Sequence, residues 1–181
     1  MKEKIVVPKF NSKELNRFMR EKFPGKQYRK MIFIPWAEAR EHDCYKNVER
    51  YIEIYGGNIV YGWSVWLWPK AFVEAYHHAV WLSPEGKLKD ISPDSTSHEK
   101  ERIFIEDNNA TFDDTMERYP KVRLLLNDDP LITELFNVCD AFDKKSMEES
   151  PGFFEKFTPS PELVSLEQQK NFLLLCLTNK Y

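Results

Sequence analysis

Two runs in the first half of the chain, NIVYGWSVWLW (Asn58–Trp68) and AFVEAYHHAVWL (Ala71–Leu82), are dense in β-branched and aromatic side chains. Such residues favour the pleated, half-buried surface of a sheet. Pro69 stops the first strand before the second begins. Ser83-Pro84-Glu85-Gly86 then turns the chain, with proline suited to the first central position of a type I turn and Gly86 to a left-handed G1 bulge. KLKDIS (Lys87–Ser92) continues as a third strand and KERIFIEDN (Lys100–Asn108) as a fourth. An antiparallel meander is therefore required, and an all-helical fold is excluded.

The flanks read as helix. NSKELNRFMREKFPG opens with an Asn11-x-x-Glu14 capping box, carries Leu15, Phe18 and Met19 at helical spacing, and stops at Pro24-Gly25. KMIFIPW (Lys30–Trp36) is a short strand. EHDCYKNVERYIEIYGG is a second helix with Cys44, Val48, Tyr51, Ile52 and Tyr55 on its apolar face. His42 or Asp43 stands at its N-cap, and Gly56-Gly57 ends it. After about Thr111 the pattern becomes helical and charged, broken at Pro120 and Pro130, with a proline- and phenylalanine-rich loop before a final helix from Glu162. The fold class is α+β: N-terminal helices packed on an antiparallel sheet over residues 1–110, and a helical extension over residues 111–181 packed on that core.

Among the 181 residues the net charge is −3, and basic residues are interspersed with acidic ones, which gives no footprint for nucleic acid or an anionic membrane. The N-terminal stretch lacks the apolar run of a signal peptide, and FLLLCL (Phe172–Leu177) is too short to span a bilayer. Three widely spaced cysteines, Cys44, Cys139 and Cys176, suit reduced thiols, so a cytoplasmic location is expected. No motif calls for a metal or another cofactor.

His77 and His78 are neighbours on a strand, so their side chains point to opposite faces. The turn decides between them. A three-residue loop pairs Ser83 with Lys87, which sets Val80 opposite Asp90 and makes Asp90 the diagonal neighbour of His78, within reach of an imidazole. A histidine oriented by a carboxylate presents its other nitrogen as a base. Cys44, at a helix start where free N–H groups and the dipole favour a thiolate, is the matching nucleophile. Asn47 lies one turn beyond Cys44, and Tyr76 shares the face of His78. Trp63 belongs to a tryptophan-rich set that supplies core and can wall a cleft. These three are the candidate substrate-binding residues.

At these positions the sequence resembles the papain-like superfamily in its broad sense, especially transglutaminase-like proteins, arylamine N-acetyltransferases and N-terminal glutamine amidohydrolases. The segments CYKNV (Cys44–Val48), HAVW (His78–Trp81) and KDISP (Lys89–Pro93) carry the likeness, with gaps of 34 and 12 residues between Cys44, His78 and Asp90. GWSVW, EAYHHAVW and DISP are also similar to strings in a small family of bacterial and phage proteins. The resemblance covers roughly residues 40–95. It implies Cys44 as nucleophile, His78 as general base and Asp90 as orienting acid, and a thiol-dependent hydrolase or acyltransferase acting on an amide of a protein, peptide or small molecule.

Two other readings compete. Cys44, His42, His77, His78, Glu74 and Asp90 are all metal-ligand types, although they lack the spacing of a known site. A non-catalytic interaction protein with the same fold would instead use Phe153, Phe154 and Phe157 of the late loop for docking. His98 reads as an exposed loop residue.

Overall fold

A computed structural model describes residues 5–94, 99–112, 119–149 and 157–181. His98, Phe153 and Phe154 lie outside these. The chain forms two compact units, Met1–Leu126 and Asn127–Tyr181.

The first unit contains α1 (Lys13–Lys22), β1 (Tyr28–Phe33), α2 (Cys44–Tyr55), β2 (Asn58–Trp68), β3 (Phe72–Leu82), β4 (Leu88–Asp90), β5 (Glu101–Glu106) and β6 (Val122–Leu125). The mixed α+β class is as expected, with helices at both ends of the chain. The sheet is more than a meander. Its order is β2-β5-β1-β4-β3-β6, and β2 also pairs with β3, so five strands close into a ring. One pair departs from the expected antiparallel pattern: β1 and β4 run parallel, Ile32 opposite Lys89 and Phe33 opposite Asp90. That parallel pairing is possible because the long β1-to-β4 connection, carrying α2, β2 and β3, brings the chain back in the same direction.

The helical reading of residues 111–126 needs correcting. Val122–Leu125 is a strand, paired antiparallel with Phe72–Ala75. Arg123 forms a 2.6 Å ion pair with Glu74 and Leu124 is buried, which ties this short strand to the sheet. Four residues are too few for alternation to stand out against a charged background. The first unit accordingly extends to Leu126. At α1 the cap is Ser12, whose side chain accepts the Leu15 N–H, while Asn11 adopts a positive φ and accepts from the Tyr28 hydroxyl.

The turn at Ser83–Gly86 forms as expected. Ser83 N–H donates to Lys87 O, Gly86 N–H to Ser83 O, and Gly86 has a φ of 78°. Trp81 pairs with Lys89 and Leu82 with Leu88, the register counted from the turn. On one edge β3 pairs along its whole length with β2. On the other edge β6 takes Phe72–Ala75 and β4 takes Trp81–Leu82. Tyr76–Val80 therefore have no ladder partner on that edge among the described residues. The first turn of α2 comes to this stretch.

The apolar core falls into clusters on the sheet. Leu15, Phe18 and Met19 of α1 pack with Trp63, Val65, Trp66 and Ile105. Tyr45 and Val48 of α2 pack with Ala79, Trp81 and Ile91. Met31, Val60, Val80 and Phe104 form a third group.

The second unit is a pair of helices, α3 (Pro130–Glu149) and α4 (Pro161–Lys180). Ser160 caps α4 by accepting the Leu163 N–H, and Glu149 accepts from the Ser160 backbone. At the far end Asp129 binds Lys180 at 2.6 Å and the Tyr181 hydroxyl at 2.8 Å.

Candidate active site

Three elements bring Cys44, His78 and Asp90 together. Strand β3 directs His78 to the face opposite His77, and the three-residue turn carries Asp90 back beside it. His78 Nε2 lies 3.1 Å from Asp90 Oδ1. The contact is close, yet it falls off the line of a well-directed hydrogen bond. Loose alignment of this kind is common in sites without substrate. Cys44 opens α2, and its sulfur lies near enough to act electrostatically on the His78 ring.

Burial disfavours the charged form of His78, but the Asp90 carboxylate and the Cys44 sulfur overcome it and raise its pKa well above the ordinary histidine value. His78 is only 6 % exposed and Asp90 3 %. Little water competes for either partner, so the charge pairing is strong. The arrangement favours an imidazolium beside the Asp90 carboxylate.

Asp90 is itself held on several sides. Its backbone carbonyl accepts from Ile34 N–H, and its side chain accepts from Ser92 N–H at 3.1 Å. Ser92 Oγ in turn accepts from Asn47 Nδ2 of α2 at 3.3 Å. Asn47 is 0 % exposed. Its Nδ2 also donates to Arg40 O, and its Oδ1 accepts from Arg40 N–H and the Arg50 guanidinium. All four hydrogen-bonding positions of the amide are taken. Asn47 therefore ties α2 to the loop that follows Asp90, and its amide has no hydrogen-bonding capacity left for another partner.

Tyr76 joins the cluster, its ring edge-on to His78 at 5.9 Å and stacked against Trp66. Burial, reinforced by the Asp94 and Asp90 carboxylates, pushes its phenol well above the usual range, so it remains a donor. Trp63 does not join. It pairs across the ladder with His77 and shares that residue's face, with its ring against Phe23, Tyr119 and His77. Glu74 is on the His78 side but belongs to Arg123.

The N-terminus of α2 differs from those of α1 and α4. Asp43 makes no side-chain capping bond, so the first-turn N–H groups keep no acceptor from the cap. Burial raises the Asp43 carboxyl pKa against the pull of Arg50, Arg40 and Lys46.

His77, set aside by the sequence reading in favour of His78, is tied in on the opposite face of β3. Its Nε2 lies 2.6 Å from Ala110 O and its Nδ1 2.6 Å from the Tyr45 hydroxyl. A carbonyl only accepts, so Nε2 carries the proton and Tyr45 donates to Nδ1. Burial lowers the His77 pKa, which keeps the ring neutral. Tyr45, Tyr61, Trp63 and Tyr119 surround it.

Two open grooves, of about 270 and 320 Å³, lie over β1, β4, β5 and the N-terminal segment, and neither is lined by Cys44, His78 or Asp90. Cys44 remains partly exposed and is the accessible member of its cluster. Among the described residues no group of three or more His, Cys, Asp or Glu is arranged to hold a metal ion, and no helix is long and apolar enough to cross a membrane. No family model, curated protein or solved structure matches the chain.

Proposed function

We propose that the first unit is a thiol-dependent hydrolase or acyltransferase of the papain-like kind, acting on amide bonds. One observation supports this reading above the others: the buried His78 imidazole lies 3.1 Å from the Asp90 carboxylate, and Cys44, at the start of α2, is near enough to act on its charge. The Cys44 thiolate attacks the amide carbonyl carbon, forming a C–S bond. As the tetrahedral intermediate collapses, the C–N bond breaks and His78 gives its proton to the leaving nitrogen. Water, deprotonated by His78, then releases the acid and regenerates the thiol; an amine in place of water gives transfer. Asp90 keeps the ring oriented and its positive charge compensated. The Cys44 backbone N–H, at the start of α2, supplies a donor for the oxyanion. Glutamine deamidation or peptide cleavage fits this chemistry best.

The test is covalent labelling with an amide-based, thiol-reactive probe, read by peptide mass spectrometry. Selective labelling of Cys44 over Cys139 and Cys176, lost in His78→Ala, supports the enzyme. Equal labelling of all three cysteines supports a non-catalytic interaction protein instead.

A further inference from the structure

The two neighbouring histidines of β3 meet two neighbouring residues of α2: His78 meets Cys44 and His77 meets Tyr45. We propose that His77 is a positioning residue for the nucleophile, acting through the Tyr45 hydroxyl to hold the first turn of α2 astride β3. The inference rests on the reading of Cys44, His78 and Asp90 as a reactive cluster.

The geometry of the tie is specific. Ala110 O fixes the tautomer of His77 from one side, which leaves Nδ1 as a pure acceptor aimed at Tyr45. The Tyr45 ring is buried and stacked flat on Phe112, with centroids 3.8 Å apart and planes 8° apart, so the phenol has little freedom to swing away. One peptide unit separates Tyr45 from Cys44. No side chain caps this helix at Asp43, in contrast to Ser12 and Ser160 at the other two capped starts. Helix ends fray unless held, and here two anchors hold the first turns: Asn47 to the acid's loop and Tyr45 to the strand that bears the base. The thiol sits between them. A shift of about 1 Å in a reacting group costs on the order of a hundredfold in rate, so holding this turn is a functional requirement as well as a structural one.

The experiment measures the rate of Cys44 alkylation by iodoacetamide in the full chain, from about pH 5 to 9, beside the melting temperature. The range brackets histidine titration. The variants are Tyr45→Phe, which removes only the hydroxyl, His77→Leu, which removes the acceptor, and His77→Asn, whose Oδ1 restores an acceptor near the place of Nδ1. Tyr45→Phe and His77→Leu are expected to slow Cys44 alkylation at about pH 6 by roughly tenfold and to make its profile that of an ordinary thiol. His77→Asn recovers most of the rate. A purely structural role would lower the melting temperature and leave the profile of the folded protein unchanged, and that result in Tyr45→Phe overturns the inference. His78→Ala separates the two proposals. If the wild-type profile does not depend on His78, the reactive cluster itself fails. If it depends on His78 but not on Tyr45 or His77, only the positioning role fails.

Discussion

The two faces of β3 place equally buried imidazoles in opposite electrostatic settings. His78 meets a carboxylate and a thiol, and its pKa rises; His77 meets a carbonyl and a phenol, and its pKa falls. Burial alone therefore does not set the charge of a histidine. Desolvation pushes both rings toward neutrality, and only a nearby negative charge reverses the outcome. One strand thus delivers a charged ring to one side and a neutral ring to the other.

The largest effects should separate the faces by activity. In the proposed enzyme, Cys44→Ala or His78→Ala should lower amide turnover at least about a thousandfold, measured as ammonia or amine release from a panel of glutaminyl peptides and peptidyl anilides. His77→Asn should keep most of it. Equal losses on both sides would erase the distinction. Asp90→Asn keeps the shape but removes the charge, and should cost on the order of a hundredfold with a displaced pH optimum.

Stability offers a second contrast. Gly62 lies opposite His78 where β5 crosses β2, and a Cβ there would stand 2.1 Å from Ile105 O and 2.6 Å from the Phe104 ring. Backbone cannot yield as a side chain does, so Gly62→Ala should cost about 2 kcal/mol in chemical denaturation. Smallest is the pH dependence. The raised pKa of His78 gives stability that is complete below the unfolded value of about 6.5 and fades as pH climbs through the folded value. The lowered pKa of His77 gives the reverse, stability present above about 6.5 and lost as pH falls toward the folded value. Urea midpoints followed against pH should lose their alkaline decline in His78→Gln and their acid decline in His77→Asn, each no steeper than about 1.4 kcal/mol per pH unit.

Much of the site was readable because it depends on local rules. Proline and glycine in one turn determine a register, the register makes Asp90 the diagonal neighbour of His78, and the apolar periodicity puts Cys44 at a helix start. The misreadings involve partners distant in the chain. Asn47 on a helix flank looks like a surface residue until Arg40 and Ser92 enclose it. Trp63 looks available for a cleft until strand pairing sets it beside His77. Val122–Leu125 becomes a strand only because Phe72–Ala75 offers an open edge. The Tyr45–His77 tie did leave a trace: a tyrosine follows the cysteine just as a second histidine adjoins the first. Two adjacent pairs on facing elements mark a double contact.

The ring of strands also sets an order of events during synthesis. A chain emerging from its N-terminus completes α2, β3 and β4 before β5, and β5 is the strand that pairs with both β1 and β2 and closes the ring. Pairings between distant segments form late in folding. The ring therefore closes only once Glu101–Glu106 has been made, after every element that carries Cys44, His78 and Asp90.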